Sequence, residues 1–253
     1  MSENKTLINI LRWAIIISMP FFLGLGVVRL VIAWDYPSFS YSRIAPDLFG
    51  FTNEERLDLA QATLAYMQRL EPADEVIFML EDLRLPGTDQ PLYTASEIGH
   101  MIDVKNLTDN ILVIVIITGI IVVGGLLYLL IRPATRQLGW KTMMQSGLFT
   151  FLTLGLIALF IAVAWPLFFE LFHELLFPPG TWTFYYSDSL IRLFPEQFWF
   201  EVGVIIVGTT LVIAALLVLI GWLMGKRAAP TQSTNVAKAK LPETLPDVRA
   251  RQA

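Results

Sequence analysis

The chain has no cysteine and only two histidines, His100 and His173, in 253 residues. The first absence excludes disulfides, thiolate metal ligands, a cysteine nucleophile, iron–sulfur clusters and a lipid-modified cysteine on this chain. Charge is scarce too, at 16% against 55% hydrophobic residues. A soluble fold of this size needs more polar surface than that, so water is not the main solvent. Nucleotide chemistry has no foothold: there is no P-loop, and Gly24-Leu-Gly26 sits inside an apolar run without a third glycine or a preceding strand. A G-x-S-x-G elbow is missing as well. His173-Glu-Leu-Leu-Phe177 opens like the zinc-protease pattern H-E-x-x-H, but Phe177 stands where the second imidazole belongs, so a zincin is not expected. No metal and no cofactor are expected for the chain.

What is present is a set of four long apolar runs, Trp13 to Trp34, Ile111 to Ile131, Leu148 to Phe172 and Val202 to Met224. A hydrocarbon core about 30 Å thick takes about 20 helical residues, and each run meets that length. The expected fold is therefore a membrane all-α core of four transmembrane helices. The first run is too long for a signal-peptide core and shows no small-x-small cleavage site, which marks it as a retained anchor. It carries Pro20 and Arg29; the arginine lies near one end of the run and either snorkels to the boundary or faces a polar pocket.

Charge segregation orients the spans. Arg132, Arg136 and Lys141 fill a short connection that has no acid, and Lys226 and Arg227 come after the last run, so both flanks are expected in the cytoplasm. Residues 35–110 instead carry fourteen acids against five bases, and 170–201 five acids against Arg192 alone. These face outward, leaving both termini inside. The resulting divisions are 1–34 (N-terminus and first span), 35–110 (extracytoplasmic), 111–131 (second span), 132–147 (cytoplasmic loop), 148–172 (third span), 173–201 (outer loop), 202–224 (fourth span) and 225–253, a polar tail with no apolar periodicity that is expected to be disordered.

The first outer segment has internal structure. Thr52-Asn-Glu-Glu55 and Thr94-Ala-Ser-Glu97 both have capping-box spacing, and near-helical apolar intervals come after the first. A small cap domain is expected, with a second helix running from Thr94 through His100 into the second span. On that helix Glu97, His100 and Asp103 recur every third residue, and Glu170, His173 and Glu174 repeat the idea after the third run. A carboxylate that orients an imidazole raises its basicity, as a general base near neutral pH requires. The plain alternative is two interfacial histidines satisfied by neighbouring acids, and the coincidence of two weighs against it. Phe177-Pro-Pro-Gly must end its helix. The aromatics beyond it, with Trp182, Asp188 and Arg192, form either an ordinary interfacial belt or a packed, polar-lined re-entrant loop.

Glu97-Ile-Gly-His-Met-Ile-Asp-Val104, the four spans, and the block from Phe172-His173 through Pro-Gly-Thr-Trp182 to Asp188 and Leu-Phe-Pro195 resemble the bacterial lipoprotein intramolecular transacylase family over roughly residues 10–222. The resemblance implies an enzyme of the bacterial cell membrane, an acyltransferase that moves the sn-2 acyl chain of a diacylglyceryl-cysteine to that cysteine's own α-amine and yields a lyso-form lipoprotein. Its partners would be that lipoprotein N-terminus and membrane lipid, with no nucleotide or nucleic acid. It assigns the chemistry to two histidines that match His100 and His173. Ester-to-amide conversion runs downhill, an α-amine of pKa about 7.7–8.0 is within reach of an imidazole of about 6.5, and joining both reactants in one molecule supplies rate by proximity. Either imidazole can be the base, with the other at the oxyanion or the departing glycerol oxygen. Arg29 or Arg192 would add charge at the oxyanion, and Glu97, Asp103 and Glu170 would orient the rings. The long tail and the acidic segment between Pro72 and Pro91 depart from the family pattern. Two other readings stand beside this one: a metal-dependent membrane esterase built on the same histidines, and a non-catalytic assembly or receptor protein. A transporter has the least support, since the last three spans carry no ionisable residue at mid-depth.

Overall fold

The computed structural model describes residues 5–228, so most of the tail expected to be disordered lies outside the described residues. Their regular structure is helical except for one isolated bridge between Arg84 and Pro91. In chain order the helices are α1 (Lys5–Ala33), α2 (Tyr36–Ser40), α3 (Asn53–Gln68), α4 (Ala73–Val76), α5 (Phe78–Glu81), α6 (Ala95–Gly119), α7 (Gly125–Ile131), α8 (Arg136–Val163), α9 (Trp165–Leu176), α10 (Ser189–Leu193) and α11 (Glu196–Ala228). Among the described residues four rods are long and apolar enough to cross a membrane: α1, Ala95–Ile131, α8 and α11. The second is α6 and α7 joined through a π-helical turn, Ile120–Gly124, without a break in direction. This is a multi-pass membrane protein.

Close backbone approach decides how the rods pair. A Cβ on Gly221 of α11 would lie 2.7 Å from the Met144 nitrogen and 2.8 Å from the Trp140 oxygen of α8, and one on Gly147 would lie 2.8 Å from the Ala214 oxygen. Glycine at both positions lets the antiparallel pair α8 and α11 touch along their backbones, the usual route to tight packing where lipid removes any hydrophobic drive. Gly119 and Gly125 instead leave room for the side chains of Phe22 and Ile15 of α1. The remaining lining is an apolar cluster of Ile15, Met19, Val122, Leu126 and Leu129.

The third span differs from its sequence-based bounds. The apolar run extends to Phe172, but α8 ends at Val163, Ala164 takes φ −140 and ψ 50, and α9 starts afresh with Pro166 in its first turn. Proline has no N–H to give the carbonyl four residues back, and its ring crowds that carbonyl, so Pro166 breaks the rod here while Pro20 is carried inside α1. With α8 beginning at Arg136 and 28 residues long, about 42 Å, the span loses nothing by ending early. The short α9 beyond the break has no buried residue.

The segment between α1 and α6 packs over one end of the bundle. Both capping boxes form, each with reciprocal bonds between threonine and glutamate. The layer's core joins Tyr36, Phe51, Tyr66, Leu80 and Tyr93 to Met101 of α6, Leu193 of α10 and Phe198 of α11. It is therefore continuous with the spans, not built from the first loop alone. Two buried cations sew it down. Lys105, with no exposed surface, donates to the Arg69 carbonyl at the end of α3 and pairs with Asp109 at 3.0 Å. Arg56 donates to the carbonyls of Arg192 and Ala45.

Candidate active site

α6 brings His100, and α9 brings His173, to one place at the end of the bundle that carries the helical layer. Their ring centroids are 6.3 Å apart and the planes are inclined by 27°. Aromatic rings enclose them: Phe177 and Phe184 lie 4.9 and 5.4 Å from His100, and Phe169 and Trp182 lie 4.1 and 5.1 Å from His173. His100 is buried and His173 partly so. The α9 contribution comes from spacing, because Phe169, His173 and Phe177 fall four residues apart and so share one helix face. That spacing is visible in the sequence and was the missed signal for Phe169 and Phe177; nothing local marks Phe184.

The bend after α9 returns the chain over His173. Pro178, Pro179, Gly180 and Thr181 make a tight turn in which the Thr181 N–H donates to the Pro178 carbonyl at 3.3 Å and Gly180 takes φ +83. Proline at the second position and a positive-φ glycine at the third are what a type II turn requires. Trp182 is the next residue.

Neither imidazole hydrogen-bonds a carboxylate among the described residues, contrary to the expected acid-flanked pair. His173 Nδ1 lies 2.7 Å from the Phe169 carbonyl oxygen. A carbonyl only accepts, so Nδ1 carries the hydrogen and Nε2 presents its lone pair. Burial pushes the His173 pKa below 6.5, opposed in part by the Phe169 carbonyl, so the neutral base prevails. His100 Nδ1 and the Trp182 indole nitrogen are buried without a hydrogen-bond partner among the described residues.

Other expected site residues have different employment. Glu97 accepts the Thr94 N–H through one oxygen and the Leu190 N–H through the other, both at 2.7 Å, which leaves its carboxylate committed to two helix starts. Arg192 forms a two-pronged pair with Asp47 at 2.9 and 3.2 Å, with its guanidinium 3.4 Å above the Phe51 ring. Asp188 accepts the Tyr185 N–H. Among the described residues Arg29 donates to the Thr108 carbonyl alone, at 3.4 Å, two turns along α6 from His100. Glu170 is exposed, and Asp103 forms no hydrogen bond or ion pair among the described residues. No three His, Asp or Glu side chains among the described residues are grouped to hold a metal ion. Of the nine expected residues, the fold thus gathers His100, His173 and Trp182.

Four membrane-crossing helices and an imidazole pair inside an aromatic cage define a polytopic membrane protein suited to acid–base chemistry on an apolar substrate. The chain belongs to the lipoprotein intramolecular transacylase Lit family, whose model matches residues 4–199, and membership makes it an acyltransferase. A relative from Aquifex aeolicus (strain VF5), described as an uncharacterized protein, is 29% identical over 209 residues, which span 81% of this chain and 90% of the relative. The in meso structure of the membrane integral transacylase Lit from Bacillus cereus superposes with a TM-score of 0.63 at 21% identity, covering 88% of this chain and 99% of that one. A histidine-to-alanine variant of the same protein gives a TM-score of 0.58 at 20% identity, covering 88% of this chain and 96% of that one. At these identities the likeness is one of fold.

Proposed function

We propose that the chain moves the sn-2 acyl group of a diacylglyceryl-modified lipoprotein N-terminus to that cysteine's α-amine, and that His100 and His173 carry the proton transfers. The observation that carries this reading is the pair of rings 6.3 Å apart, one with a defined lone pair, inside a cage of aromatic side chains. The amine nitrogen attacks the ester carbonyl carbon, and the carbonyl π electrons move to oxygen. His173 Nε2 takes the proton that the new C–N bond makes acidic. Collapse of the intermediate re-forms the carbonyl, breaks the bond to the glycerol oxygen and returns the proton to that oxygen, from His173 or through His100. One amide and one hydroxyl replace one ester and one amine, so no carrier or energy source enters. The aromatic walls exclude water, which would otherwise compete with the amine for the ester.

The orientation rests on charge. Arg132, Arg136, Lys141, Lys226 and Arg227 occupy the end away from the histidines and have no acid among their near neighbours in sequence. In a bacterial cell membrane this puts both termini in the cytoplasm and the site at the outer leaflet.

The test is mass spectrometry of a lipoprotein N-terminal peptide from a host lacking other N-acylating enzymes. Wild type should yield an N-acyl, S-monoacylglyceryl peptide that His100→Ala and His173→Ala do not, and chelators should not change the yield. An unchanged diacylglyceryl peptide beside well-inserted wild type would overturn the reading.

A further inference from the structure

We infer that Trp182 is the hydrogen-bond donor to the reacting ester carbonyl, stabilising the oxyanion that forms as the amine adds; this rests on the reaction proposed above. Indole nitrogen can only donate, and burying a donor without an acceptor forfeits the hydrogen bond it makes to water. Trp182 Nε1 is such a donor, and its ring lies 5.1 Å from that of His173. The neighbouring rings of Phe169, Phe172, Phe177 and Phe184 provide no acceptor in their side chains. The donor is held in place rather than drifting there: the type II turn at Pro178–Thr181 lays the chain back across α9, and the Thr181 hydroxyl doubles the turn by donating to the Pro178 carbonyl at 2.9 Å. Neither arginine expected at the oxyanion is placed for the task, because Arg192 is bound to Asp47 and Arg29 lies two turns away.

A donor aimed at a carbonyl oxygen inside an apolar cage becomes more effective as that oxygen gains charge, since few competing dipoles screen it. The division of labour is then complete without a carboxylate. His173 takes the amine proton, Trp182 steadies the oxyanion, and the glycerol oxygen recovers the proton.

A second unpartnered indole provides a matched control. Trp165 Nε1 is also buried without a partner, but it lies eight residues before His173 on α9, about 12 Å along the helix, against Phe169 and Phe200. It is out of reach of a carbonyl held between the histidines.

The experiment uses the full chain in detergent with a synthetic diacylglyceryl-cysteinyl peptide. Trp182→Phe should lower kcat about 100-fold with little change in KM, whereas Trp165→Phe stays within about threefold of wild type. Isotope-edited infrared spectra of the same peptide, with its amine acetylated and its sn-2 carbonyl carbon labelled, should show that carbonyl at higher frequency in Trp182→Phe than in wild type. A purely structural role does not move that band in correctly folded protein. Should Trp182→Phe fold poorly, replacing Trp182 by benzothienylalanine, which exchanges the N–H for sulfur at nearly constant shape, makes the same comparison. Wild-type kcat and an unmoved carbonyl band in either donor-free variant would overturn the inference and leave the transacylase reading intact. Absence of product with wild type would remove that reading and this inference together.

Discussion

Glu97 accepts the Leu190 N–H at 2.7 Å, so the residue one helical turn before His100 also anchors the start of α10. The same carboxylate closes the capping box at the head of α6, and it is almost wholly buried. One side chain thereby ties the helix bearing His100 to the loop bearing Trp182 and Phe184. Glu97→Ala strands two backbone donors, each a charge-assisted bond worth about 1.5–3 kcal/mol. A large drop in the thermal unfolding midpoint in detergent is expected, together with lost activity. A stable Glu97→Ala protein with normal turnover would show that the tie does not position the site.

The pH profile separates the amine from the imidazole. His173 has its pKa lowered on folding, so its neutral form is fully present above about 6.5 and is lost only as pH falls through the lower folded value. The substrate amine, with a pKa of about 7.7–8.0, must itself be deprotonated to attack. Rates of kcat/KM should rise toward pH 8 with the amine limb, and the histidine limb should lie below 6.5. An imidazole limb above 6.5 would contradict the lowering of the His173 pKa by burial.

The Arg192–Asp47 pair is expected to act on stability rather than on the reaction. Burial alone would raise the Asp47 carboxyl, but the Arg192 guanidinium and the N–H groups of Phe51 and Phe49 outweigh it and hold the pKa below 3.8. A carboxyl depressed in the folded state adds stability above its unfolded pKa that disappears as pH falls through the folded one. Asp47→Asn should therefore destabilise by about 3 kcal/mol at neutral pH, as expected for breaking a buried pair. The gap from wild type should shrink in strong acid, and kcat should change little. A kcat collapse in a folded Asp47→Asn protein would place the pair in the chemistry.

The α8–α11 contact should reject even a methyl group. Gly221→Ala sets a Cβ 2.7 Å from a backbone nitrogen that has nowhere to move, and overpacking of this kind costs about 1–3 kcal/mol. Gly155→Ala, with no atom within 4 Å of the added Cβ, is the control. Equal midpoints for the two variants would mean the helices separate more easily than their packing implies.

Freedom from cysteine makes topology directly measurable. A single cysteine at Asp74, exposed in the layer above the histidines, should react with an impermeant maleimide applied to intact cells. One at Gln137, exposed at the opposite end, should react only after permeabilisation. The reverse pattern would invert the proposed orientation.

Composition and periodicity by themselves determined the number of spans, the two capping boxes and the run of helix from Thr94 through His100 into the second span, because these depend on residues close in the chain. They left the end of the third span misplaced, since a hydropathy window averages over Pro166 while the backbone cannot. Tertiary structure alone decided what the charged residues do. Glu97 stands at the spacing of a histidine partner yet spends both oxygens on backbone donors, one of them 93 residues away at Leu190. Arg192 is taken by Asp47 from 145 positions earlier. The same holds for the two imidazoles: each was legible as a candidate, but the 6.3 Å between them and the aromatic cage arise only when α9 breaks from α8 and a proline–glycine turn folds Trp182 back. Local sequence sets what a residue can offer, and long-range packing settles which partner reaches it first, because a buried polar group takes whatever acceptor or donor the fold brings within bonding distance.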